Sequence, residues 1–186
     1  MLRRATPTSI FWGSIIFCMN IQPRPIPIEP QAGQESVWNY PRPAIWEYTE
    51  KHLRVICQNV IIAETTKGIR VLETSHPPMY YIPPVDIKLE YLVENPRKTW
   101  CEWKGWCEYF DVKIGDRYIP NAAWRYPEPN PTFAAIANYV SFYANLMDAC
   151  YVDDQQVTPQ AGDFYGGWIT ADIVGPFKGE FGTKWW

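Results

Sequence analysis

Leu53-Arg54-Val55-Ile56-Cys57-Gln58-Asn59-Val60-Ile61-Ile62-Ala63 sets two runs rich in β-branched residues on either side of a Gln-Asn pair. Branched side chains suit a pleated, half-buried surface, and Asn tolerates the left-handed backbone that a two-residue turn demands. The stretch predicts a β-hairpin over 53–63 and, with it, a β fold. Ile69-Arg70-Val71-Leu72-Glu73, reached through Lys67-Gly68, supplies a third strand. Pro77-Pro78 and Pro83-Pro84 then bracket Met79-Tyr80-Tyr81-Ile82. Residues before proline are held extended, so this piece reads as a short edge strand or a bent segment. Val85 to Leu92 fits one helical turn or a strand about equally.

Further along, Trp100-Cys101-Glu102-Trp103-Lys104-Gly105-Trp106-Cys107-Glu108-Tyr109-Phe110 packs five aromatics, two thiols, two carboxylates and a lysine into eleven residues. Each large ring covers roughly 150–250 Å² when buried, so the segment belongs to a packed core or to a pocket wall. A hairpin turning at Lys104-Gly105 would place Cys101 and Trp103 on one face with Trp106 and Glu108. Glu102 and Cys107 would face the other way. Tyr118 to Tyr126 gives another strand, closed by Pro127-Glu128-Pro129. Thr132 to Ala137 is the best helical candidate, and Tyr139–Tyr143 with Ala149–Val152 are the last strands. The expected fold is mainly β, a single-domain antiparallel sheet or barrel-like body with one short helix and extended terminal arms.

The chain divides accordingly. Residues 1–18 begin Leu2-Arg3-Arg4 and continue with an apolar stretch from Ile10 to Cys18, far short of the roughly 20 residues a membrane span needs. They read as a mis-called start, with initiation at Met19, or as a weak signal-like segment lacking a small-x-small cleavage site. Residues 19–50 carry Pro23, Pro25, Pro27, Pro30, Pro41 and Pro43, which favours an extended arm, with Val37-Trp38-Asn39-Tyr40 and Trp46 as its aromatic anchor. The β domain runs over 51–156. From 157 to 186 a Gly/Trp-rich tail is expected to wrap it without regular structure, anchored by Trp168, Phe177 and Trp185.

Composition narrows the function classes. The net charge over 186 residues is −3 and no Lys/Arg run exceeds Arg3-Arg4, which argues against nucleic acid and against an anionic membrane surface. Five cysteines without a CxxC pair and two histidines do not form a zinc set, and an odd, dispersed cysteine count reads as reduced thiols in a cytoplasmic protein. Gly162-Asp163-Phe164-Tyr165-Gly166-Gly167-Trp168 is glycine-rich but lacks the Gly-Lys-Ser/Thr ending of a phosphate loop. No cofactor is expected.

Three constellations could carry chemistry. Glu73 and His76 lie three residues apart in Glu73-Thr74-Ser75-His76-Pro77-Pro78 and could exchange a proton, or serve only to build a turn. Cys101 beside Lys104 could be an activated thiol, or a buried cysteine acting as a small hydrophobe. Tyr80, Tyr81, Trp103, Trp124 and Tyr126 could gather around Glu73, Asp86 or Glu128 to cage a cation or stack a planar heterocycle. The rival is an aromatic β core.

Several blocks, in order, resemble the bacterial and fungal DUF427 family, a domain of unknown function. They are Glu-Ser-Val-Trp-Asn-Tyr-Pro-Arg-Pro (35–43), Leu-Glu-Thr-Ser-His-Pro-Pro-Met-Tyr-Tyr-Ile-Pro (72–83), Asp86, Cys101 with Lys104-Gly105, and Asn-Ala-Ala-Trp-Arg-Tyr-Pro-Glu-Pro (121–129). Phe-Tyr-Gly-Gly-Trp-Ile-Thr (164–170) with Gly-Pro-Phe-Lys-Gly (175–179) resembles the long form of that family. The resemblance implies a compact β domain akin to the β-tent folds, without the paired CxxC motifs of the zinc-bearing tents. A nucleotidyltransferase label also attaches to the family, but the Gly-Ser and paired-aspartate pattern of such enzymes is absent here. The signature positions are Glu73, Tyr81, Asp86, Cys101, Lys104, Trp124 and Tyr126. They imply a pocket for an unknown small molecule. The alternatives are an enzyme using Cys101, or Glu73 with His76, and a partner-binding or homo-oligomeric module using the arm and tail.

Overall fold

Gln58 and Asn59 both take positive φ, 52° and 59°, and the chain reverses there as the sequence requires. The computed structural model describes residues 25–179, 182, 183 and 186. The signal-like segment 1–18 and the Trp185 anchor lie outside the described residues. In chain order the strands begin with β1 (Glu35–Ser36), β2 (Ile45–Thr49), β3 (Leu53–Cys57), β4 (Val60–Thr65) and β5 (Gly68–Leu72). Next come β6 (Met79–Tyr81), β7 (Leu92–Cys101), β8 (Gly105–Ile114), β9 (Arg117–Arg125) and β10 (Val140–Phe142). The chain finishes with β11 (Ala149–Val152), β12 (Gln155–Gln156), β13 (Thr158–Pro159), β14 (Trp168–Ile169) and β15 (Ile173–Val174).

The fold is mainly β, and its larger sheets are antiparallel throughout. One sheet has the order β12-β11-β3-β4, a second β2-β5-β6 and a third β10-β9-β8-β7. The second and third run on into each other. Ile82, just past β6, exchanges backbone hydrogen bonds of 2.8 and 2.9 Å with Val140 of β10. The segment expected as an edge is therefore covered on both sides. The joined sheet stays open at β2 and β7, so it forms no closed barrel among the described residues.

Successive residues of β6 serve two cores, because side chains alternate across a strand. Tyr80 and Ile82 join Leu53, Val55, Ile62, Phe110, Phe142 and Trp168 between the first sheet and one face of the joined sheet. Met79 and Tyr81 join Ile69, Val71, Cys107, Tyr109, Trp124 and Tyr126 on the opposite face. The candidate site is on this second, tyrosine-rich face.

Several expectations need correction. Trp46 belongs to β2, which pairs with β5 as Trp46 opposite Val71, so the sheets reach into the segment read as an arm. The short helix is a 3-10 stretch over Pro131–Ile136 that breaks at Phe133 (φ −112°), and further single 3-10 turns occur at 84–86 and 89–91. The tail contains β13, β14 and β15 rather than purely irregular chain. It also meets the arm: β1 pairs with β15 in parallel, and the Trp38 indole donates to the Pro176 carbonyl at 2.9 Å. No helix among the described residues is long and apolar enough to cross a membrane.

The hairpin at 92–114 turns differently from the sequence reading. Its loop is Glu102-Trp103-Lys104, and Gly105 (φ 94°) is the first residue of β8, pairing with Cys101. A three-residue loop followed by a left-handed glycine replaces the expected two-residue turn and shifts the register by three residues, an odd number, so the faces of the two strands combine the other way. Trp100 and Trp106 come opposite each other on the outside, each 57% exposed, with ring centroids 5.3 Å apart. Thr99 pairs with Cys107, so Cys101 shares its face with Cys107 rather than with Trp106 and Glu108.

Candidate functional site

The inner face of the β7–β8 hairpin closes a cavity of about 200 Å³. Its wall includes Glu73, His76, Cys101, Lys104, Trp124 and Tyr126, residues drawn from three separate parts of the chain. Tyr81 lies beneath them, fully buried, and its hydroxyl accepts the Trp124 indole N–H at 3.3 Å. Tyr80, the other tyrosine of the pair, faces the opposite core.

Asp86 is not brought to this cavity. It sits in a 3-10 turn beside β4, where its carboxylate accepts the Thr65 hydroxyl at 2.6 Å. That bond fastens the turn to the first sheet. Glu128 lines a separate hollow on the outer face with Lys98, Trp106 and Arg125.

Each wall residue is held from behind. The Glu73–His76 turn closes on a 3.0 Å bond from the His76 N–H to the Glu73 carbonyl, with Ser75 at φ 70°. Arm and tail support it: Ser75 N–H donates to Val37, and the Ser75 carbonyl accepts from the Lys178 N–H at 2.8 Å. The hairpin tip is clamped by Asn130, whose N–H donates to the Lys104 carbonyl and whose side chain donates to the Trp103 carbonyl at 2.8 Å. The Trp103 indole donates to Glu73 Oε1 at 3.1 Å, joining hairpin to turn. Trp124 packs against Tyr143 with centroids 4.5 Å apart, and Gly166 of the tail lies so close that a Cβ there would sit 2.1 Å from the indole ring.

The charge pattern follows from these supports. Arg42 lies 4.0 Å from Glu73 and 3.5 Å from Glu102. The Lys178 ammonium donates to the Trp186 main-chain oxygen at 2.7 Å. Lys104 differs. It is 3% exposed, its ammonium sits 5.7 Å from the Tyr126 ring centroid and 5.8 Å from that of Phe133, and that ammonium makes no ion pair or hydrogen bond among the described residues. Among the described wall residues, the cations are Arg42, Lys104 and Lys178 and the carboxylates Glu73 and Glu102.

Burial, followed by Lys178, Lys104 and Arg42, lowers the His76 pKa to about 3. The imidazole is neutral at physiological pH. Burial pushes the Cys107 thiol up to about 11 and the Tyr81 and Tyr126 hydroxyls well above their ordinary value, so these stay protonated. No side-chain hydrogen bond joins Glu73 to His76, or Cys101 to Lys104, among the described residues. Nor do three His, Cys, Asp or Glu side chains converge as a metal set there.

Arg42, Tyr109, Tyr143, Tyr165 and Lys178 also line the cavity, and the sequence reading did not single them out. Arg42 and Lys178 had a signal, each being a lone cation in a Pro- or Gly-flanked block. Gln160, which hydrogen-bonds His76, had none. Arg42 comes from the arm and Phe164, Tyr165 and Lys178 from the tail, whereas the rest of the wall is on the sheets and the loops between them. No curated protein matches the chain. Residues 45–153, which carry the three larger sheets apart from β12, match the model of a domain of unknown function, and the chain belongs to that DUF427 family.

Proposed function

We propose that the protein is a small-molecule-binding domain whose ligand occupies the cavity beneath the β7–β8 hairpin. One observation carries the reading. Glu73, His76, Cys101, Lys104, Trp124 and Tyr126, far apart in sequence, face a single concave space of about 200 Å³ walled by aromatic rings. A mostly apolar hollow with a few convergent polar groups is the usual form of a ligand site, and this volume lies below the roughly 300–1,000 Å³ of drug-sized pockets. The ligand is accordingly a small metabolite. Nucleophilic use of Cys101, or proton exchange between Glu73 and His76, would draw on the same cavity. Both lack the side-chain hydrogen bond that joins a nucleophile or acid to its base, which favours binding over catalysis.

A thermal-shift screen of small metabolites against wild type and Trp124→Phe tests the reading. Selective stabilisation of wild type is expected, with a smaller shift in the variant because the indole wall is altered. A screen in which no compound stabilises wild type contradicts it.

A further inference from the structure

Within that binding reading, we propose that the ligand is a small planar monocarboxylate, its carboxylate paired with Lys104 Nζ and its ring lying against Trp124 and Tyr126. Lys104 carries the argument. A buried ammonium without an anion is costly, and the cost is relieved when a carboxylate arrives. Arg42 is already matched by Glu73 and Glu102, and the Lys178 ammonium is hydrogen-bonded to the Trp186 main-chain oxygen. Of these three described cations, Lys104 is the one whose ammonium has only rings beside it. The Lys104 ammonium, with no carboxylate beside it among the described residues, suits a monoanion and disfavours the cation that an aromatic cage would otherwise suggest.

His76 adds a second, independent donor. Gln160 Oε1 accepts the Gly167 N–H at 3.0 Å, which fixes the orientation of its amide. Gln160 Nε2 then donates to the Lys178 carbonyl at 2.6 Å and to His76 Nδ1 at 3.2 Å. With Nδ1 accepting, the proton of the neutral ring sits on Nε2, which makes Nε2–H a donor. A fixed N–H donor and an unpaired ammonium on one wall suit a carboxylate, whose oxygens accept from both. The remaining surface consists of ring faces and protonated hydroxyls, which suit a flat, unsaturated body. A volume near 200 Å³ suits a single ring with its acid group.

Calorimetric titration at pH 7 with benzoate, nicotinate, benzamide, nicotinamide and benzylamine tests the assignment on wild type and Lys104→Met. At least one acid should bind wild type ten-fold or more tighter than its amide, benzylamine should be the weakest, and Lys104→Met should erase the preference for acid over amide. Equal binding of acid and amide in wild type, or tighter binding of benzylamine, overturns the monocarboxylate while leaving the binding pocket standing. Failure of all five to bind also overturns it, whereas failure of the broader metabolite screen is what removes the pocket. The acid, amide and amine comparison on wild type decides the matter even if Lys104→Met does not fold.

Discussion

His76 is 5% exposed and meets three cations across the cavity, so its imidazole resists protonation until about pH 3. In the unfolded chain it protonates near pH 6.5. Between those values the unfolded state holds the extra proton, so His76 contributes full stability above about pH 6.5 and loses it as pH falls toward 3. The slope is up to about 1.4 kcal/mol per pH unit. Urea unfolding at pH 7.5 and 5.0 should therefore show wild type losing about 2 kcal/mol more than His76→Gln, which removes the titrating group. An equal loss in both proteins would show that the imidazole is not shielded. Cys107 makes the converse point for thiols: with its pKa near 11 and 2% exposure, it should label with iodoacetamide far more slowly at pH 8 than the half-buried Cys101. Comparable rates at the two sites would contradict that burial.

At the scale of elements, the β7–β8 hairpin decides what faces the cavity. Gly105 holds φ at 94°, where an L-residue is strained, and a Cβ there would also approach Asn130 at 3.4 Å. Gly105→Ala should cost about 1–2 kcal/mol in denaturant unfolding; a neutral substitution would mean the loop is not the three-residue form. That loop was the least legible feature in the sequence. Lys104-Gly105 has the look of a two-residue turn, and nothing local shows that Glu102 and Trp103 leave the ladder as well. The 53–63 hairpin was legible because β-branched runs flank a pair that can take positive φ at both positions. Asp86 was misplaced for another reason. Its partner Thr65 is 21 residues away and reaches it only once β4 and the 84–86 turn have packed.

Across the whole molecule, the matched family region supplies the larger sheets, while the arm and tail complete the cavity with Arg42, Tyr165 and Lys178. Trp168 fastens that tail. It is fully buried, its indole donates to the Phe142 carbonyl at 3.0 Å, and its ring lies 5.4 Å from Tyr80. Trp168→Ala should cost about 3–5 kcal/mol and should also abolish ligand-induced stabilisation, because Tyr165 and Lys178 depend on the same segment. Retained ligand stabilisation in that variant would separate tail from site. Individual strands were readable from local pattern, but the contribution of arm and tail was not, since it rests on long-range pairing such as β1 with β15. The proton–nitrogen spectrum of the tryptophan indoles, followed during titration with whichever acid stabilises the protein, tests the ligand's place most directly. With the acid beneath the hairpin, the Trp103 and Trp124 signals should move to saturation while that of the outward-facing Trp106 stays in place; movement at Trp106 with Trp103 and Trp124 unchanged would put the ligand elsewhere.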